Sequence, residues 1–171
     1  IQISSRTFTE SGKGTYGQFV PRLSGPSAAN YLTGLDSNES FRTNVGLVNR
    51  GVNEVRARLA LLSSAGDVLA TREIDIAARS FHQSPLVTLF PEVSGRAESS
   101  MSMRIDADRP LALTTYASVV DNRSQDPFLI PGKPAAVGDL VIPGIARTSG
   151  AGGTFWRTDV TLFNPGFDTL E

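Results

Sequence analysis

The stretch FRTNVGLVNRG at Phe41–Gly51 decides how this chain folds. It returns near the C-terminus as FWRTDVTLFNPG at Phe155–Gly166, so Arg-Thr-(Asn/Asp)-Val-x-Leu-(Val/Phe)-Asn-x-Gly occurs twice. Alternation around Val45 and Leu47 is typical of a β-strand with one buried face, and Asn-x-Gly is typical of a turn. We call the first copy the anchor phrase and the second the C-terminal phrase. We interpret each phrase as a strand that ends in a turn, and we expect each structural unit of the chain to contain one such phrase.

Short alternating segments separated by polar turns continue through the rest of the chain. In Val55–Leu61 the apolar residues alternate with Arg56 and Arg58, and Val68–Ile76 returns after the turn at residues 63–67. No stretch keeps apolar residues at helical spacing for three turns. The pattern therefore predicts an all-β fold, an antiparallel β-sandwich.

Other parts of the chain carry weaker patterns, because they are short or rich in turn-forming residues. Strands are predicted at Ser100–Ile105, Leu111–Val120 and Leu86–Phe90. Residues 77–84 are predicted as a connection. Residues 22–40 are predicted as a loop that contains a short strand or a helical turn at Ala28–Leu32.

A second pair of matching segments suggests two related units. Phe19-Val20-Pro21 ends one predicted hairpin and Leu129-Ile130-Pro131 ends another, in the same order and at nearly the same offset as the two phrases. We predict one domain over residues 1–171, in which residues 1–21 and 154–167 are outer strands of a sandwich made from two similar half-units. In the alternative, residues 22–131 are one full module flanked by pieces of neighbouring modules.

Composition excludes several functional classes. The chain has no cysteine, which removes disulfides, thiolate metal sites and cysteine nucleophiles. Its net charge is −1 without a basic block, so no nucleic-acid partner is expected. No apolar run approaches the roughly 20 residues of a membrane span. The chain has no signal peptide, does not begin with Met and starts inside a strand-like segment, so we interpret it as an excised piece of a longer protein. Leu170-Glu171 is either a vector scar or part of the natural sequence.

The sequence offers no catalytic set. His82 is the one histidine, no Gly-x-Ser-x-Gly elbow is present, and a polar residue on a connection is the favoured interpretation of His82. We therefore predict no catalytic residue, no enzyme activity and no required cofactor.

Calcium is the metal that the residue types allow, because oxygen ligands on loops suffice for it. The two candidate clusters are Asp121, Asn122 and Asp126, and Asp36, Asn38 and Glu39. The same residue types also build turns through their own hydrogen bonds, which is the alternative.

Aromatic side chains are the candidates for ligand binding, since rings stack on sugars. Trp156, Tyr16 and Tyr31 are the predicted ligand-binding residues. Phe155 and Trp156 would point to opposite faces of a strand, one into a core and one outward. Core or inter-module packing is the alternative for all of these rings.

These strand-and-turn phrases resemble a module of immunoglobulin-like β type in large secreted bacterial proteins. The resemblance is carried by VIPG at 141–144 with Gly150–Pro165, by Ser5–Phe8 with Gly14–Pro21, and by Phe41–Asn49, and it covers most of the chain. It implies an immunoglobulin-like sandwich, a secreted or cell-surface location, and a structural or binding role. It brings no catalytic residues.

The expected function is a non-catalytic structural or adhesive module whose partners are neighbouring domains of the same polypeptide. The alternative is a carbohydrate- or protein-binding accessory module of an extracellular enzyme. Arg42 and Arg157 are expected to be structural props that hydrogen-bond a hairpin turn rather than substrate clamps.

Overall fold

The computed structural model describes residues 4–11, 14–21, 23, 29–136 and 141–166. Leu170-Glu171, residues 1–3 of the predicted first hairpin, and two residues of its turn lie outside the described residues. The regular elements are β1 Ser4–Ser11, β2 Gly14–Pro21, β3 Ala29–Ser37, β4 Phe41–Asn49, β5 Val55–Leu62, β6 Val68–Ile76, β7 Phe81–Pro85, α1 Leu86–Leu89, β8 Glu98–Ala107, β9 Leu113–Asp121, β10 Pro127–Pro131, β11 Arg147–Ser149 and β12 Phe155–Arg157. Short 3-10 turns lie at Pro91–Val93, Pro110–Ala112 and Ala151–Gly153.

Two four-stranded antiparallel sheets form the centre of the fold. Their strand orders are β10-β9-β4-β7 and β3-β8-β5-β6. The faces that meet carry a continuous core of buried apolar side chains, among them Leu32, Leu47, Leu59, Met103 and Ala117. The predicted all-β, sandwich-like architecture is confirmed.

The anchor phrase forms β4 with the predicted bounds. It lies between β9 and β7 in the middle of its sheet. Val45 and Leu47 are fully buried, while Arg42 on the other face is exposed. The clearest predicted hairpin is also confirmed, because β5 pairs with β6 and buries Val55, Ala57 and the later odd-numbered residues.

Asn49 explains why the anchor phrase ends as it does. Its side chain is 1% exposed. The Nδ2 group donates to the carbonyls of Asn53, Ile76 and Ala77 at 2.8, 3.0 and 2.9 Å, and Oδ1 accepts from the Gly51 N–H at 2.8 Å. One amide thereby satisfies backbone groups of the loop that follows β4 and of the end of β6.

The chain passes from one sheet to the other just after β10. Gly132 N–H donates to the Thr115 carbonyl at 2.8 Å. Lys133 then exchanges two backbone hydrogen bonds with Tyr31 on β3, at 2.7 and 3.2 Å. Because β3 and β10 are edges of opposite sheets, this bridge closes one corner of the sandwich.

The short strand allowed at Ala28–Leu32 is confirmed from Ala29 onward, but the loop predicted around it is wrong as far as Ser37, because Ala29–Ser37 is one nine-residue strand. The full length of this strand was not predicted because its sequence contains turn-forming residues. Gly34 has φ +83°, and the pairing register with β8 shifts on both sides of Leu35. The glycine therefore marks irregular pairing within an edge strand rather than a loop.

Two further predictions around His82 are wrong. The expected connection over residues 77–84 contains β7, which pairs with β4, and the expected strand at Leu86–Phe90 is the single helical turn α1. Pro85, the last residue of β7, and Pro91 bracket this turn, and neither has an N–H to donate to a continuing strand ladder. Leu86 and Leu89 bury their side chains from this turn.

The C-terminal phrase does not repeat the structure of the anchor phrase. Only Phe155–Arg157 is a strand, paired with β11, and Thr158–Gly166 forms none. The predicted strand is therefore wrong beyond Arg157. Phe155 and Trp156 are both exposed, so neither enters a core.

The two ends of the chain form separate small sheets. The predicted first hairpin is confirmed as β1–β2, and β11–β12 is a second two-stranded sheet. Gln18 on β2 accepts a hydrogen bond from Ser118 Oγ at 3.1 Å. The single domain over residues 1–171, its two similar half-units and the alternative division stay predictions.

Arg42 braces the turn between β9 and β10. Its Nη1 and Nη2 donate to Asn122 Oδ1 and Gln125 Oε1, both at 2.8 Å. Arg157 instead lies over the Phe155 ring at 5.4 Å. Arg42 thus holds a hairpin turn, while the hydrogen bond expected from Arg157 to a turn is not present among the described residues.

We expect Arg42→Ala to lower the free energy of unfolding by about 1 kcal/mol, because two exposed hydrogen bonds are lost. For a chain of this size that is a fall in Tm of about 2–4 °C, measurable by circular dichroism. Arg157→Ala, at the matching position of the C-terminal phrase, is the control and should leave Tm unchanged. An unchanged Tm in Arg42→Ala would contradict the bracing role.

Candidate functional site

A groove of about 770 Å³ lies where the edges of the two sheets separate, beyond the corner closed by Lys133. β3 forms one wall and β10 the other. Phe41 and Phe128 contribute rings, and Asp159 and Thr161 of the C-terminal phrase line the same groove. This concave, mixed surface is the main candidate for ligand contact.

The groove is acidic. Asp36, Glu39 and Asp159 line it, and the described lining contains no Lys or Arg. Asp36 is held in place because its Oδ1 accepts the Ser100 N–H at 2.9 Å. Three carboxylates without a cation favour a positively charged or hydroxyl-rich partner.

Asn38 shapes the rim of the groove. Its Oδ1 accepts the N–H groups of Ser40 and Phe41 at 2.9 Å each, and its Nδ2 donates to Ser99 Oγ at 2.9 Å. These bonds make a tight turn before β4. The Asp36, Asn38 and Glu39 cluster thus contains the contacts of a turn, and no group of three His, Cys, Asp or Glu suited to a metal occurs among the described residues.

The first candidate calcium cluster is likewise engaged in turn contacts. Asp121 Oδ1 accepts the N–H groups of Ser124 and Arg123 at 2.8 and 2.7 Å, and these bonds lower the pKa of the Asp121 carboxyl. Asn122 Oδ1 accepts from Arg42, which leaves fewer oxygens directed at a common point. Calcium at Asp121, Asn122 and Asp126 stays a prediction.

The groove continues toward Tyr31 as a smaller cleft of about 480 Å³. The Tyr31 and Phe163 rings lie 5.8 Å apart there, with Lys133 beside them. Tyr31 is therefore a wall of the candidate site and makes a ring contact with the C-terminal phrase.

The three predicted ligand-binding aromatics do not converge. Tyr16 lies on β2, away from the lining of the groove, and Trp156 lies on β12, 62% exposed, against Gly150. Tyr31 alone of the three lies beside the groove, because it lines the smaller cleft into which the groove continues. Whether any of them binds a ligand stays a prediction.

A second candidate surface, missed by the sequence reasoning, lies on the outer face of the β4 sheet. Gly46 has Gln83 and Tyr116 as its neighbours in the same row. A Cβ at Gly46 would overlap the Tyr116 ring, so glycine lets that ring lie across β4 and donate to Gln83 Oε1 at 2.6 Å. Burial raises the pKa of the Tyr116 hydroxyl. Phe81 is 59% exposed, with its ring nearly parallel to Tyr116 at 6.4 Å.

His82 faces the other way, in a row with Leu47 and Thr115. Its Nε2 atom is buried and has no hydrogen-bond partner among the described residues. The two cross-strand neighbours in that row supply no carboxylate that could orient the imidazole in a triad.

A basic cleft of about 540 Å³ lies near the other end of β4. Arg50 and Arg109 line it, together with the exposed apolar side chains of Val52 and Leu111. The sandwich therefore carries acidic and basic concave surfaces near opposite ends of the same central strand.

Comparison with known proteins supports the fold and nothing finer. No protein-family model matches the chain, and no curated protein matches it. The crystal structure of Thermotoga maritima 1070 is similar, with a TM-score of 0.52 and 12% sequence identity over 63% of this chain and 94% of that one. At that identity the likeness concerns fold alone.

Proposed function

We propose that this chain is a non-catalytic structural or adhesive module, of immunoglobulin-like type, in a secreted or cell-surface bacterial protein. Its partners in this proposal are neighbouring domains of the same polypeptide. Among the described residues no helix is long and apolar enough to cross a membrane.

The observation that carries the proposal is the placement of exposed apolar side chains. Among the described residues, nine of the 15 large exposed ones lie in the first hairpin or after residue 140, and six lie on the longer sandwich. The nine are Phe8, Phe19, Val141, Ile142, Ile145, Phe155, Trp156, Val160 and Leu162. Concentrations of this kind mark surfaces that contact another protein. Most of the exposed apolar side chains therefore lie in the parts of the chain that flank the sandwich.

The polar residues of the anchor phrase support the same proposal. Asn49 donates hydrogen bonds to backbone carbonyls and Arg42 donates to the turn between β9 and β10, so these side chains stabilise the fold. Side chains that stabilise the fold in this way are expected of a structural module.

The alternative is a carbohydrate- or protein-binding accessory module, and the outer-face pair Phe81 and Tyr116 favours it. An exposed ring beside the Gln83 amide resembles the platforms on which sugars stack. The acidic groove offers a second surface for a hydroxyl-rich ligand.

Trp156 tests the proposal, because it is the one tryptophan of the chain. In a single chain, at a concentration at which sedimentation shows a monomer, its fluorescence should be quenched freely by iodide. In a polypeptide of two full chains joined end to end, one Trp156 gains a neighbour, and about half of the signal should become protected from quenching.

The control is Val87→Ser in the joined polypeptide, an exposed residue of α1 that should not alter protection. Equal quenching in the single and joined chains would contradict the proposal. Binding on a glycan array that Trp156→Ala, Tyr16→Ala or Phe81→Ala abolishes would instead support the alternative.

A further inference from the structure

We propose that the C-terminal phrase of one copy pairs, as an antiparallel strand, with β1 of a second copy of this chain. This inference rests on the proposed function and names the partner and the register of the contact. Four observations lead to it.

First, β1 presents an open edge. Among the described residues it is hydrogen-bonded to β2 alone, in a two-stranded sheet. Its side chains from Ser5 to Glu10 are exposed, including the ring of Phe8. A two-stranded sheet with a free edge is a template for a third strand.

Second, the C-terminal phrase exposes the residues that the anchor phrase buries. Val160 and Leu162 occupy the positions of Val45 and Leu47 in the repeated pattern. Val45 and Leu47 are 0% exposed, whereas Val160 is 50% and Leu162 is 78% exposed. The phrase therefore has a strand pattern whose apolar face is uncovered.

Third, the phrase already has the turn of the anchor phrase. Asn164 Oδ1 accepts the Gly166 N–H at 2.9 Å, as Asn49 Oδ1 accepts the Gly51 N–H at 2.8 Å. Part of the conformation that ends a strand is thus formed before pairing, which lowers the entropy cost of adding it.

Fourth, the repeat fixes a register with matching charges. Pro21 corresponds to Pro131 at the ends of the two hairpins, and their cross-strand partners are Ser4 and Tyr116. Arg6 therefore takes the place of Ser118 in β9.

In the sandwich Ser118 lies opposite Asn44 of β4, and Asp159 takes the place of Asn44. The same register sets Asp159 of one copy directly opposite Arg6 of the other. Opposite charges at directly opposed positions stabilise strand pairs. It also sets Arg157 opposite the Phe8 ring, a pairing of cation and aromatic face.

A second copy is the occupant because the hairpin and the phrase contact different strands within one copy. Gln18 of the hairpin contacts Ser118, which points away from the core. The phrase instead lies along β3, where Phe163 contacts Tyr31 and Thr161 lies beside Gly34. The described part of one copy contains no pairing between β1 and the phrase.

Such a contact is heterologous, since each copy offers one phrase and one edge. Repetition without closure gives a linear row of copies. We therefore expect the mass of the full chain in sedimentation velocity to rise with concentration.

The absence of cysteine allows a direct test of the register. Thr7→Cys and Thr158→Cys are made in separate chains and mixed under mild oxidation, so a disulfide between them can form only between copies. The register places these residues opposite one another, within the Cα separation that a disulfide needs. We expect rapid dimer formation.

The matched control mixes Thr7→Cys with Leu162→Cys, which the register places four residues, or about 13 Å, out of line. Equal cross-linking of both pairs would overturn the register. The Thr7→Cys/Thr158→Cys double variant tests for pairing within one chain. If it forms an intramolecular disulfide while the mixed single variants do not cross-link, the second-copy proposal is wrong.

Charge exchange gives an independent readout. Arg6→Asp and Asp159→Arg should each weaken association about fivefold, and the doubly exchanged chain should recover it. Circular dichroism checks that each variant is folded. Association unaffected by either change would overturn this contact. A different result would contradict the proposed function, namely that Trp156 in the joined polypeptide gains no protection from iodide.

Discussion

Replacing Asn49 by alanine is expected to lower the free energy of unfolding by about 3 kcal/mol. The carbonyls of Asn53, Ile76 and Ala77 would lose their donor, and the Gly51 N–H would lose its acceptor. The side chain is almost fully buried, so water cannot replace these bonds without opening the end of β4. Chemical denaturation at equilibrium measures the change, and Tm should fall by about 6–12 °C.

Asn164→Ala is the matched control, because Asn164 holds the same position in the C-terminal phrase but is exposed. It should change the free energy of unfolding by less than about 0.5 kcal/mol. If the two substitutions destabilise the chain equally, burial does not set the role of Asn49.

Gly132→Ala is expected to cost about 2–3 kcal/mol, the upper part of the range for overpacking a buried site. A Cβ at Gly132 would overlap Thr115 Oγ1 and lie 2.8 Å from the Thr115 carbonyl oxygen. Thr115 is 1% exposed in the middle of the β9 ladder, so it cannot move aside. The crossing between the sheets would have to shift instead, which thermal and denaturant unfolding both detect.

Gly144→Ala is the control, since a Cβ there meets no atom within 4 Å. It should be neutral. Thr115→Ala in the Gly132→Ala background should recover part of the stability, because it removes the overlapping oxygen. Additive losses in the double variant would show that the overlap is not the cause.

The sequence predicts a strand correctly where one face of the strand is buried and the other is exposed to solvent. In β5 the exposed Arg56 and Arg58 make the two-residue period visible in the sequence. β7 shows no such period, because its outward residues include the Phe81 ring and its inward ones include His82. β3 was hidden by Gly34, Asp36 and Ser37, which form a strand there only through pairing with β8.

The C-terminal phrase shows why a pattern is not a strand by itself. It has the alternation of the anchor phrase, yet beyond Arg157 it forms no ladder among the described residues. Strand structure depends on a partner in space. Neither the groove nor the Phe81 and Tyr116 pair could be predicted from the sequence. The groove forms where two sheet edges separate, and the position of the Tyr116 ring depends on its contact with Gly46 across the strands.

The bridge between Tyr31 and Lys133 has a mechanical consequence. Antiparallel partners lie about 5 Å apart between Cα atoms, so the chain reaches the sandwich and leaves it at nearly the same point. Tension applied at Tyr31 and Lys133 would load this bridge, while β4 lies inside its sheet and off the line of force. Between these two residues the sandwich adds almost nothing to the end-to-end length of the polypeptide.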